Sequence, residues 1–271
     1  MTLDHVFFYV ALLGYLLGTL HYLLYIASQR PSLGRVATYA TLGGFGAHSI
    51  SLIFRIYSLG RPPLGSVYES LSFLAWAIVL IYLVTEVRYG NRVIGAFVLP
   101  LVLFASSVAA ALPRRIADLG PTLQGVGLWV HVALAILGNA AFALTFCVGL
   151  MYLLQERQLK SRHLGRLHFR LPSLELLDDV SVKSLLFGFP LLTLALVTGS
   201  IWAEHTRGSF LPLYGRETWS ILSWLIYGGL LYARLSAGWR GRRAAILAII
   251  GFCLVLVTLI SISLLRTGRV L

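Results

Sequence analysis

The chain has 271 residues, 58% of them hydrophobic and 12% charged, against roughly 25% charged in a soluble domain, so a water-soluble globule is excluded and lipid is the implied solvent. A net charge of +12 would suit nucleic acid only if Lys and Arg gathered on one water-exposed face. They fall instead between apolar runs, as topology signals and headgroup contacts do, so the expected partner is membrane lipid and not nucleic acid.

In chain order, the Arg, Pro and Gly clusters divide the sequence into eight apolar runs, at about 5–27, 36–58, 66–86, 93–112, 124–154, 182–203, 217–235 and 244–265. Each matches the roughly 20 residues that a helix needs to cross a bilayer core. The expected fold class is all-α: a polytopic membrane protein of about eight transmembrane helices in a single integral membrane domain, 1–271. The first run lacks a basic leader and is too long for a signal-peptide core, so it is expected to be retained. Alternate connections carry fourteen and eight Lys and Arg; the richer side is cytoplasmic by the positive-inside rule, which places both termini outside. The polar segment 155–181 is then a cytoplasmic linker, basic at Arg157–Arg170 and acidic at Glu175, Asp178 and Asp179. Cys147 and Cys253 stand far apart within apolar runs, and no C-x-x-C exists.

Nucleotide-binding Gly loops, H-E-x-x-H and G-x-S-x-G are absent, which leaves histidines within the membrane as the residues of interest. An ionisable side chain in lipid is costly and points to function or to a partner. His48 lies mid-span, one turn beyond Gly43-Gly44-Phe45-Gly46, whose lack of bulk admits either a neighbouring helix or a flat ligand. Arg55, seven residues on, shares its face about 10 Å nearer the outer surface. Two readings stand: an axial imidazole with a guanidinium above it for a haem propionate, or a histidine hydrogen-bonded across helices with Arg55 snorkelling to headgroups. His131 lies about 10 Å below the outer start of the fifth run, on the face of Gln124, and suits either a ligand open to the outside or a ring bonded to a neighbouring carbonyl. His21 fits an interfacial aromatic belt beside Tyr22 and Tyr25. The outer segment from Gly199 to Trp219 carries Trp202, His205, Arg207, Arg216 and Trp219, which suits a flat amphipathic ligand or lipid headgroups.

Four stretches carry a family resemblance: Ala47-His48-Ser49 through Arg55 to Gly60-Arg61-Pro62-Pro63-Leu64-Gly65-Ser66-Val67-Tyr68-Glu69-Ser70; Trp129-Val130-His131-Val132; Leu186-Phe187-Gly188-Phe189-Pro190 through Trp202-Ala203; and Glu217-Thr218-Trp219 through Tyr227 to Trp239-Arg240-Gly241-Arg242-Arg243. On these the chain resembles the cytochrome c assembly family, in its CcsA (ResC) and HemX branches. The resemblance implies a haem-handling protein of the bacterial inner membrane, with His131 matching an external axial histidine and His48 a membrane histidine. The family's tryptophan-rich loop, W-G-x-[FY]-W-x-W-D-P-K-E, is degenerate: Leu211, Leu213, Tyr214, Gly215 and Arg216 replace W, W, D, P and K. Tyr232 stands where some relatives have histidine.

The resulting expectations are haem b bound by His48 and His131 at the iron, with Arg55, Arg207 or Arg216 on propionates and Trp202 and Trp219 beside them, and a role in cytochrome c biogenesis or haem homeostasis with no reaction catalysed by the chain itself. The partners implied are a cytochrome c synthase subunit and, through the HemX branch, a cytoplasmic haem-synthesis enzyme. The alternatives are a regulatory or scaffold subunit without haem that acts on glutamyl-tRNA reductase level, and a small-molecule transporter, which would need broken spans and buried acids.

Overall fold

The computed structural model describes residues 2–114, 125–160, 170–207 and 216–266, without the side chains of 206–207, 216–219 and 258–266. Among the described residues are eight α-helices: α1 (Leu3–Ser28), α2 (Pro31–Leu59), α3 (Val67–Tyr89), α4 (Gly95–Ala111), α5 (Val126–Lys160), α6 (Leu174–Arg207), α7 (Arg216–Ser236) and α8 (Arg242–Arg266), with a short 3₁₀ turn at Arg92–Ile94. Five of them, α1, α3, α4 together with the 3₁₀ turn before it, α5 and α6, are long and apolar enough to cross a membrane. The all-α membrane architecture expected from hydropathy is the one observed.

Local chemistry explains the helix ends. Pro31 opens α2, where its missing N–H is not needed. A capping box opens α3: the Ser66 hydroxyl accepts from the Glu69 N–H, and the Glu69 carboxylate accepts from the Ser66 N–H. Gly60 and Gly90 close α2 and α3 at φ 62°, a left-handed conformation that glycine adopts without strain.

Helices α5 and α6 run beyond their apolar runs, through Lys160 and back to Leu174, so most of the expected linker 155–181 is helical. The charges that ended those runs by hydropathy sustain the helix by (i, i+4) pairing: Lys160 on Glu156 and Lys183 on Asp179, each at 2.7 Å. Positions 161–169 lie outside the described residues.

The chain divides into two compact units, Met1–Ile116 with Met151–Leu177, and Ala117–Leu150 with Asp178–Leu271. In the first, α1 and α2 are antiparallel and pack with very little between them: a Cβ on Gly14 would stand 2.6 Å from the Gly44 Cα. Small residues that let backbones approach are the usual means of joining helices in lipid, where no hydrophobic force drives them together. Tyr15, Tyr22, Tyr82 and Phe8 fill this unit's interior, while Val10, Leu13, Leu20 and Leu24 of α1 face outward. In the second unit Phe142 of α5 stacks on Tyr227 of α7 with ring centres 3.6 Å apart. The Trp224 indole stacks on Phe189 and donates to the Thr193 hydroxyl at 2.9 Å.

Candidate functional site

His48 sits at the centre of the first unit with no exposed surface. Its Nδ1 is 3.0 Å from the Tyr15 hydroxyl on α1, and its Nε2 is 2.9 Å from the Ser72 hydroxyl on α3. Phe8 meets the ring edge-on at 5.4 Å. Of the two readings open from sequence, the arrangement is that of an imidazole bonded across helices: both nitrogens are engaged, and the Phe8 and Tyr15 rings lie against it. As packed, the site does not fit an iron ligand. The small residues before it serve the neighbouring helix, through Gly44; a Cβ at Gly43 or Gly46 would meet nothing within 4 Å.

Two turns along the same face, Arg55 is equally committed. Its Nη2 donates to the Glu69 carboxylate at 3.0 Å and to the Arg114 carbonyl at 3.3 Å, and its Nη1 lies 3.7 Å from Asp4. Arg61 reaches the other Glu69 oxygen at 3.2 Å, and the backbone N–H groups of Gly65 and Ser66 donate to that same oxygen. The Arg114 guanidinium lies 4.6 to 4.9 Å from the rings of Phe8, Tyr9 and Tyr68, a cation–π setting. Arg55 therefore neither snorkels nor stands open above His48. With the buried Asp4 and Glu69 and the half-buried Arg61 and Arg114, it forms a charged group that ties α1, α2 and α3 to the end of α4. The S-x-x-E capping signature at Ser66–Glu69 marks Glu69 in the sequence; Asp4 and Arg114 carry no comparable local signal.

At the opposite end of this unit Glu86 accepts from Tyr22 at 2.7 Å, Tyr82 at 2.5 Å and Thr38 at 2.5 Å, with Arg92 3.5 Å away. The buried acids that a transporter reading would require are present at Glu69 and Glu86, but each is satisfied within its own unit.

His131 belongs to the second unit, on α5, and is half-buried. Its Nδ1 lies 2.6 Å from the Ala195 carbonyl oxygen on α6. A carbonyl can only accept, so Nδ1 carries the hydrogen, and in the neutral ring the lone pair is on Nε2. That is the tautomer in which histidines bind metals, with the second nitrogen held by an outer-shell carbonyl. This donor set fits a haem iron. Trp202 is half-buried on α6, one turn beyond Gly199. The side chains of Arg207, Arg216 and Trp219 lie outside the described residues. His48 and Arg55 are thus in one unit, and His131 and Trp202 in the other. His21 donates from Nδ1 to the Leu17 carbonyl of its own helix at 2.7 Å, and Tyr232 is exposed.

A family model for cytochrome c assembly proteins matches residues 64–269. The chain belongs to the cytochrome c assembly family. Among its relatives, the cytochrome c biogenesis protein CcsA of Synechococcus sp. strain CC9902 is 33% identical over 80% of each chain, and CcsA of Prochlorococcus marinus strain MED4 is 35% identical over 81% of this chain and 77% of its own. CcsA of Pyropia yezoensis is 29% identical over 94% of this chain and 92% of its own. Among solved structures, the cytochrome c haem lyase CcmF has the same fold, with a TM-score of 0.74 over 99% of this chain at 16% identity. The chain spans 50% of the length of that lyase.

Membership in the cytochrome c assembly family corrects one expectation. The view that the chain takes no part in catalysis rested on the absence of hydrolase and nucleotide-binding motifs. It does not stand, because the solved protein that shares the fold is named a haem lyase and the family is that of cytochrome c assembly. Holding and orienting a bound group needs none of those motifs.

Proposed function

We propose that the chain is the haem-holding part of a membrane-bound cytochrome c synthase, which attaches haem to an apocytochrome on the outer side of a bacterial cytoplasmic membrane, with both termini on that side. The observation that carries this is the His131 ring, locked by Ala195 in the ligating tautomer on a chain of this family. His131 would hold the iron of a haem b through Nε2. Trp202 and, on sequence grounds, Arg207, Arg216 and Trp219 bracket the porphyrin and its propionates. The work of this chain is to bind haem and fix its orientation while a partner subunit and the apocytochrome approach. Positioning of this kind accounts for a large share of catalysis in general.

His48 and Arg55 hold the first unit together and are not iron or propionate contacts. His48 has spent both nitrogens on Tyr15 and Ser72, and Arg55 has spent its charge on Glu69 and Asp4.

The full chain purified from haem-replete membranes should show a Soret band and a b-type pyridine haemochrome. Its purification without haem under those conditions would contradict the proposal.

A further inference from the structure

Ala195 and Gly199 are one helical turn apart on α6, and the His131 ring lies over both. A Cβ built on Gly199 would stand 2.7 Å from His131 Cε1, 2.7 Å from Nδ1 and 3.5 Å from Cγ, and these are the three nearest atoms it would meet. Cβ atoms essentially never approach other heavy atoms within 3.0 Å. The ring cannot yield without losing its partner, because the 2.6 Å hydrogen bond from Nδ1 to the Ala195 carbonyl holds it down on the helix at that point. The contact is therefore specific: the α6 backbone is bare where the imidazole lies, and the carbonyl one turn earlier receives its hydrogen. The same carbonyl also accepts from the Thr198 hydroxyl at 3.1 Å, and Thr198 anchors to Leu194 at 2.8 Å.

We infer that Gly199 is a positioning residue for haem ligation, the seat that lets the His131 ring reach the Ala195 carbonyl and so aims its Nε2 lone pair. Any side chain at 199 lifts the imidazole, breaks the Nδ1–H bond and turns Nε2 away from its bearing. Gly199 itself touches no ligand and acts only through His131. The inference rests on the proposed ligand role of His131.

The test titrates ferric haem into the purified full chain carrying Gly199→Ala, His131→Ala or both, and follows the Soret band together with thermal unfolding. Loss of an outer-shell partner typically weakens metal binding about 10- to 100-fold. Gly199→Ala should therefore bind haem about 10- to 100-fold more weakly than wild type, and in the His131→Ala background the same change should weaken binding no further. Unfolding separates positioning from a general packing defect. Because the three nearest atoms that the methyl group would meet all belong to the imidazole, Gly199→Ala should lower the melting temperature of the wild-type chain by clearly more than that of His131→Ala. Equal destabilisation in both backgrounds would overturn the inference. Wild-type haem affinity in Gly199→Ala, alongside loss of binding in His131→Ala, would overturn it while sparing the ligand role. Wild-type affinity in His131→Ala would remove the ligand role and the inference with it.

Discussion

Arg55 donates to Glu69 at 3.0 Å while both side chains are buried within the first helical unit, and Glu69 also receives Arg61 at 3.2 Å. A carboxylate that offsets two guanidinium groups away from water is far costlier to neutralise than an exposed one, because its removal strands charge in a medium of low dielectric. Glu69→Gln keeps the volume and part of the capping geometry but removes the charge. It should destabilise the chain by about 3–5 kcal/mol, read as thermal unfolding in detergent. A loss below about 1 kcal/mol would be that of an exposed surface pair and would contradict the burial of this group.

His48→Ala removes the imidazole that joins Tyr15 and Ser72 and opens a cavity in the centre of the unit. Stranded hydroxyls cost about 1–3 kcal/mol each, and the lost volume adds to that, so a clear drop in melting temperature is expected. The haem spectrum of the folded fraction should be unchanged. A spectrum that loses its axial-ligand signature in this variant would return His48 to the iron.

Gly44→Ala and Gly43→Ala differ by one position and should differ in sign. At Gly44 the new methyl group meets the Ala11 carbonyl at 3.1 Å and the Tyr15 ring at 3.1 and 3.2 Å. Overpacking of this kind costs about 1–3 kcal/mol. At Gly43 nothing lies within 4 Å, and the change gains up to about 1 kcal/mol of helix propensity. Melting temperatures of the two variants check both. Equal effects would mean that α1 and α2 do not meet through Gly44.

The helices were legible in the sequence because lipid demands long apolar runs, and their ends fall at residues with local reasons to end them, such as Pro31, Ser66, Gly60 and Gly90. At 155–181, a linker in the sequence reading, the described helical parts 155–160 and 174–181 belong to α5 and α6, where Lys160 and Lys183 pair one turn back. Of the two readings that the sequence leaves open for His131, a ring bonded to a neighbouring carbonyl is the geometry found. For His48 too, one of its two readings, a ring bonded across helices, is the geometry found, but the partners of His48 and Arg55 were not legible, because they are distant in the chain: Tyr15 is 33 residues from His48, Glu69 is 14 from Arg55, and the Arg114 carbonyl is 59 away. No local pattern announces such pairings. Ala195 and Gly199 were invisible for the same reason, since their meaning depends on what α5 lays across them.

The ligand role of His131 is tested most directly by the absorption spectrum of His131→Gly, purified as the full chain from haem-replete membranes, with and without added imidazole. The substitution leaves a space of the right shape beside Gly199, which free imidazole can enter. The expected result is haem lost, or its histidine-ligated Soret spectrum abolished, in the variant alone, with that spectrum restored by imidazole. A wild-type spectrum in His131→Gly without imidazole would contradict the ligand role.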